Sequence, residues 1–258
     1  MNKYTVAFIA LNFFLKNAPG QHLKEASINQ VGVGVGYQHS YLKDDNFSPL
    51  NQAGGGLATS ARYQRISKNV FGVNFQFSSG NIHSGPTSGF TTSFINANLE
   101  LEYLFKLTPD ENAFQFFLGP ANSTRVLYLD WYDLEAFSYV ATHGVGIKGM
   151  VSKHIKEKHL LQATLSLPVF QLLARPPYNG IDEFIIENQD SPANIIFSGT
   201  PSSLNDFFAL GLCVDYKYKL TERVAWHTNY SLHMQTVMAT NRFKSLSNTV
   251  TTGVAVNF

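Results

Sequence analysis

The sequence is poor in cysteine and in charged residues. A single cysteine, Cys213, cannot form a disulfide within the chain, so the fold is expected to hold without one. Charged residues make up 14% of the 258 residues, against about 25% in an average soluble domain. The formal net charge is only +1. Such a balance lacks the basic excess that binds nucleic acid, so no nucleic-acid partner is expected.

Long apolar runs are also missing. A membrane-spanning helix needs about 20 consecutive apolar residues, and the longest candidate, residues 5–15, is interrupted by Asn12. Any membrane crossing must therefore use β-strands.

The amino terminus resembles a secretory signal peptide over residues 1–20. Lys3 supplies the positive start, residues 5–15 the short apolar core, and Ala18, Pro19 and Gly20 a small-residue cleavage site. We expect the mature chain to begin at Gln21. The alternative is an amphipathic helix that plugs the fold.

Alternation of apolar and polar residues dominates the rest of the chain and predicts an all-β fold. The pattern indicates an antiparallel up-and-down transmembrane barrel of about ten strands, with eight or twelve as alternatives. The predicted strands are 26–42, 55–66, 70–79, 92–107, 113–128, 134–153, 158–173, 204–219, 223–239 and 245–258.

The predicted connections alternate between short turns and longer loops. The turns are 67–69, 108–112, 154–157 and 220–222, and the loops are 43–54, 80–91, 120–133 and 174–203. Short periplasmic turns and longer outer loops are typical of outer-membrane barrels. With ten strands, both ends of the mature chain lie on the periplasmic side.

The two faces of the predicted strands differ in polarity. Leu99 and Leu101 alternate with Asn98 and Glu100, so we expect an apolar face toward lipid and a polar face toward the lumen. Three residues break the pattern: His143 falls on the apolar face, while Pro120 and Pro168 each remove a ladder donor. β-Bulges near Gly119, Pro120 and Gly144 are the expected explanation.

The last strand carries the most specific local signal. Val254, Val256 and the terminal Phe258 alternate toward one face, and the chain ends on that aromatic residue. This ending resembles the closing strand of bacterial outer-membrane β-barrels. The resemblance implies that these three residues form the signal read by the barrel-assembly machinery, and that outer-membrane lipid surrounds the protein.

The predicted lumen contains charges of both signs. In a narrow barrel we expect them to interlock as ion pairs that fill the interior. The alternative is an open, narrow channel for small solutes. The predicted polar network comprises Arg62, Glu100, Glu102, Lys148, Asp215, Lys217, His227 and His233.

Catalytic patterns are weak. Ser231, His233 and Asn229 share a face, but lipid-cleaving barrels carry histidine before serine on the lipid side, and no His-x-Ser occurs here. The ten-stranded outer-membrane proteases carry paired aspartates and Asp-x-His, whereas Asp44 and Asp45 are adjacent and no Asp-x-His occurs. No catalytic residue, metal site or cofactor is predicted.

The segment 174–203 is the strongest candidate for function, because loops carry function on rigid scaffolds. Its two β-prone runs, 184–186 and 195–197, predict a small hairpin above the barrel, which either binds a partner or folds over the mouth as a lid. Its candidate partner-binding residues are Tyr178, Phe184, Ile186, Ile196 and Phe197.

These patterns predict an outer-membrane protein that acts through its outer loops. The expected role is surface binding, adhesion or service as a subunit of an envelope complex, with an envelope protein as partner. The alternatives are a narrow solute channel and a membrane-embedded lipid hydrolase or protease.

Overall fold

A computed structural model describes residues 27–46, 48–85, 91–109, 113–131, 136–176, 187–188, 190–238 and 242–258. The predicted signal peptide lies outside these residues and remains a prediction. The elements are β1 (Ile28–Asp44), β2 (Ser48–Ile66), β3 (Val70–His83), β4 (Thr91–Lys106), β5 (Gln115–Trp131), β6 (Ala136–Ile155), β7 (His159–Ala174), α1 (Pro192–Phe197), β8 (Thr200–Ser203), β9 (Phe207–Lys219), β10 (Val224–Val237) and β11 (Phe243–Asn257).

The strands form one closed antiparallel barrel. Each wall strand pairs with the next along the chain, except that β7 pairs with β9, while β11 pairs with β1 and closes the ring. The wall therefore has ten strands, and the short β8 is an eleventh that pairs with β7 alone. The predicted fold class is confirmed, including all ten spanning strands. Among the described residues, no helix has the length and hydropathy needed to cross a membrane.

Two of the predicted long loops are wrong. Residues 48–54 belong to β2, where Gln52 pairs with Leu42, and β5 continues to Trp131, so the connections shrink to 45–47 and 132–135. Gly54, Gly55 and Gly56 favoured a loop, yet here the ring of Tyr37 lies where a side chain at Gly55 would stand. An aromatic ring covering a glycine is a known way to stabilise a strand.

The two ends of the barrel are named by their connections. The turn end carries the start of β1, the end of β11 and the connections 67–69, 156–158 and 220–223, and the loop end carries the segment 175–199. Because the strict alternation of short and long connections fails, the orientation in the membrane rests on this one long segment. The orientation stays a prediction.

The outer face is apolar along the length of the wall. Leu99, Leu165 and Val254 are among its exposed residues, at 41%, 50% and 42% exposure. Near the turn end, aromatic rings contact one another on this face, as in the pairs Tyr63 with Phe71 and Tyr216 with Trp226. An apolar band with an aromatic girdle is what a lipid bilayer requires of a barrel.

The wall has one seam, between β7 and β9. β7 pairs with β9 up to Ser166 and with β8 from Phe170 onward, so Leu167, Pro168 and Val169 have no ladder partner on that side. Val169 is the extra residue of a β-bulge, because Pro168 pairs with Gly146 and Phe170 with Val145. The predicted bulge near Gly144 thus lies in the neighbouring strand.

Pro120 acts differently from Pro168. The β4–β5 ladder keeps the same register on both sides of Pro120 and simply lacks the pairs at 119 and 120. The predicted bulge at this point is wrong, because losing one donor interrupts the ladder without adding a residue.

Inside the barrel, the polarity changes with depth. A loop-end layer of apolar side chains fills the lumen below the rim, with residues from nine of the ten wall strands. A smaller turn-end cluster of Val70, Leu104, Phe117 and Met150 covers the β3–β6 side. The loop-end layer consists of Leu42, Ile82, Phe94, Leu129, Val140, Phe207, Ala209, Val237 and Phe243, with Leu127, Trp131 and Leu173 packed against it.

Candidate functional site

Ion pairs occupy the lumen between the two apolar regions. Lys148 of β6 contacts both Glu100 and Glu102 of β4. Arg62 of β2 lies 4.0 Å from Glu102 and 3.3 Å from Asp215 of β9, so one guanidinium links carboxylates on opposite sides of the barrel. Such buried charges are tolerated only when each has a partner.

Asp215 is the centre of the second half of this network. Besides Arg62, it lies 3.6 Å from the Lys217 ammonium and 3.7 Å from Nδ1 of His227. Lys217 donates hydrogen bonds to Gln30 at 2.5 Å and Gln64 at 3.3 Å, which ties β9 across the lumen to β1 and β2.

Glycines make room for these side chains. A side chain at Gly72 would collide with the carboxylate of Glu102, and the His227 ring occupies the space beside Gly32 and Gly34. His227 Nε2 also lies 3.2 Å from the Val33 carbonyl. The structure thus brings seven of the eight predicted network residues into contact, while His233 stands apart from the ion pairs.

A cavity of about 120 Å³ adjoins the network. Its lining includes His233, Asn98, Gln76 and Ser231. Gln76 of β3 donates to Ser231 of β10 across the lumen at 3.3 Å. The interior is therefore bridged from wall to wall and is not an open pore at this depth.

Nearer the loop end, Gln38 joins four strands. Its Oε1 accepts hydrogen bonds from Ser78 at 2.8 Å, Asn96 at 3.2 Å and Thr249 at 3.3 Å, and its Nε2 donates to Ser40 at 2.9 Å. This neutral layer separates the ion pairs from the loop-end layer.

Arg125 is a lumen residue that sequence reasoning missed. It is buried, at 8% exposure, and lies in register with Asn98 and Thr142, which also face inward. Assigning 120–133 to a loop hid it. The alternation of Ser123, Arg125 and Leu127 is the signal that places it inside.

Ser231, His233 and Asn229 do not form the catalytic arrangement of a serine hydrolase. Ser231 accepts from Gln76, Asn229 donates to Cys213 Sγ at 2.8 Å, and no hydrogen bond joins His233 to Ser231 among the described residues. All three lie in the lumen below the loop-end layer, away from lipid. The described part of the chain also contains no group of three metal-ligating side chains.

The rim at the loop end is fastened by Asp44. Its carboxylate contacts Arg175 at the start of the long segment and accepts a hydrogen bond from Ser138 at 2.8 Å. Asn46 donates to the Pro176 carbonyl at 2.6 Å. Asp45 pairs with Lys43 at 3.5 Å, so each of these two aspartates already has a basic partner.

The predicted hairpin in the long segment is wrong in its second arm. Residues 195–197 belong to α1, which begins at Pro192, a residue suited to the first helical turn. Ile195 packs against Tyr139, Ala141 and Ala174 on the outer wall. Tyr178, Phe184 and Ile186 lie outside the described residues, as does the side chain of Ile196.

Phe197 marks where α1 meets the lipid-facing wall. Its ring stands edge-on to His143, with the centroids 5.3 Å apart, and the side chain is 44% exposed. His143 Nδ1 in turn lies 2.5 Å from the Thr124 hydroxyl on the neighbouring strand. A hydrogen bond and a covering ring explain how a histidine is tolerated on the apolar face.

The predicted assembly residues occupy the outer face of the closing strand. Val254 and Val256 point outward, and Phe258 is 71% exposed. The backbone of Phe258 exchanges two hydrogen bonds with Asn29, at 2.9 and 3.2 Å, beside the start of β1. Their role in assembly remains a prediction.

No protein-family model and no curated protein matches the sequence. Solved structures do match. The outer membrane protease OmpT from Escherichia coli aligns with a TM-score of 0.62 and 10% identity, over 93% of this chain and 99% of that chain. Neisserial surface protein A aligns with a TM-score of 0.34 and 13% identity, over 90% and 97% of the two chains. The translocator domain of the autotransporter NalP from Neisseria meningitidis aligns with a TM-score of 0.41 and 7% identity, over 98% and 96%.

At these identities the comparison concerns the fold alone. OmpT is a barrel of matching extent, and the likeness covers nearly all of both chains. A closed wall with an apolar outside and a polar inside fits a location in the bacterial outer membrane. The chain therefore has the fold of the bacterial outer-membrane β-barrels, within which no specific subfamily is matched.

Proposed function

We propose that this protein is a closed outer-membrane barrel that acts as a binding subunit of the cell envelope through the segment at its loop end. The observation that carries the proposal is the loop-end layer, which fills the lumen with side chains from nine wall strands. Below it lie the neutral layer around Gln38 and the ion pairs around Asp215. A barrel with a filled lumen acts as a scaffold, so the residues that carry its function lie on its surface.

The segment 175–199 is the surface best placed for binding. Asp44 and Asn46 hold its first two residues at the rim, while α1 holds its far part against β6 and β7. α1 lies beside the wall, so the surface formed by Ala193, Asn194 and Phe197 faces sideways. A partner of matching geometry is another protein of the same membrane, approaching in the plane of the bilayer.

We expect a photoreactive residue at Ala193, exposed on α1, to form an adduct with a second envelope protein in intact cells. The same residue at Glu222, which is also exposed but lies at the turn end, serves as the control and is expected to form no such adduct. Replacing residues 187–198 by a glycine-serine linker of equal length should leave the barrel folded and lower the amount of copurifying partner. Absence of an adduct at Ala193 would contradict the proposal.

The narrow channel is tested by planar-bilayer recording. We expect the unmodified barrel to show no steady conductance, because hydrated ions cannot cross a lumen filled by buried apolar side chains. Long-lived openings of uniform size from the unmodified protein would reverse this reading and favour solute transport.

A further inference from the structure

The charges in the lumen do not balance. Among the described residues between the turn end and the loop-end layer, four basic side chains point inward: Arg62, Arg125, Lys148 and Lys217. Only three carboxylates face them, those of Glu100, Glu102 and Asp215, and the closest contacts of these three are to Lys148, Arg62 and Lys217. One basic group is therefore left over.

The unmatched group is Arg125. No described carboxylate oxygen lies within 4.0 Å of its guanidinium, and its Nε is buried without a hydrogen-bond partner. Arginine stays charged in proteins, and a buried charge without a counter-charge is strongly unfavourable. Water would satisfy its donors but would leave the positive charge unbalanced.

Two polar neighbours converge on Arg125. Asn98 on β4 and Thr142 on β6 are its in-register partners on the same face, where Cβ atoms lie about 4.5–5.5 Å apart. Neither side chain hydrogen-bonds to another described residue, and Asn98 lines the cavity of about 120 Å³. Of the three residues, only Asn98 borders the cavity, and Arg125 and Thr142 lie next to it along the lumen face.

We propose that a small monovalent inorganic anion, of the size of chloride, is bound in the lumen by Arg125, with Asn98 and Thr142 as further donors. The anion supplies the missing negative charge. The cavity beside Asn98 has room for a halide with its remaining water. Because the loop-end layer lies above it, the anion enters when the barrel closes and exchanges slowly afterwards.

Crystals of the unmodified protein, refolded and grown in sodium bromide, should show an anomalous bromide peak within hydrogen-bond distance of Arg125. This measurement needs no variant, so it stands even if a substitution at Arg125 prevents folding. A lumen without bromide beside Arg125 would overturn the proposal.

Stability provides the second test. The detergent-solubilised barrel is unfolded in urea at constant ionic strength, with bromide replacing gluconate. Bromide should lower the equilibrium constant of unfolding. Once the bromide concentration exceeds its dissociation constant, each further tenfold rise should lower that constant by about tenfold. Arg125→Met should abolish this dependence. Lys219→Met, which removes an exposed basic residue paired with Glu222, should keep it. Equal stability of the unmodified protein in the two salts, or a bromide effect that survives Arg125→Met, would refute the anion site.

Discussion

Asp215→Asn is expected to lower the free energy of unfolding by about 3–5 kcal/mol, the cost of breaking a buried ion pair by removing one partner. Asparagine keeps the shape of the side chain but removes the charge that holds Arg62, Lys217 and His227 together. The loss is a large part of the roughly 5–15 kcal/mol that stabilises an average folded protein. Urea unfolding followed by tryptophan fluorescence measures it.

Two variants control this experiment. Asp215→Asn combined with Lys217→Met should recover much of the lost stability, because the double change removes one charge of each sign. Glu222→Gln makes the same acid-to-amide change in the exposed pair with Lys219, which lies 2.7 Å away, and such pairs contribute about 0–1 kcal/mol. Equal losses from Asp215→Asn and Glu222→Gln would mean that the interior is hydrated and the network is not buried.

Leu99→Arg and Leu165→Arg should each cost about 2–4 kcal/mol, the range for an arginine at the bilayer midplane on the outer face of a barrel. Both residues lie near the middle of their strands and point outward. Leu220→Arg is the matched control, since Leu220 is 56% exposed but lies in a connection at the turn end. The fraction of heat-resistant folded barrel after refolding into lipid vesicles measures the effect.

A different ranking would overturn the membrane assignment. If the arginine at Leu220 is as damaging as the arginine at Leu99, the outer band is not in contact with hydrocarbon. If neither has an effect, the apolar face is covered by something other than lipid.

Alternation was enough to predict the wall, because a strand that separates lipid from a polar lumen must change polarity at every residue. It also selected the charged residues of the lumen other than Arg125. It failed near the loop end, where Phe94, Leu129 and Phe243 point inward although they are apolar. There the lumen is a packed core, and a rule that equates inward with polar cannot recognise it.

The pairing partners of the strands and the conformation of the long segment could not be predicted from the sequence either. Glycines at 54–56 resembled a loop until Tyr37 was found to cover Gly55. Residues 195–197 have the composition of a strand, but Pro192 starts a helix and the wall offers Ile195 an apolar surface. Arg125 was missed because 120–133 was assigned to a loop, although Ser123, Arg125 and Leu127 share one face of β5.

The seam between β7 and β9 is the part of the wall where the strands are expected to separate most easily. Apart from the short interruption at Pro120, consecutive ladder bonds around the rest of the perimeter must break together before the wall parts, but beside Pro168 and Val169 several of those bonds do not exist. The adjoining strand β9 is held there by β10 alone from Phe207 to Leu210. We therefore expect separation of the wall to start at this point, close to α1, so that the most easily opened part of the barrel borders the surface proposed to meet a partner.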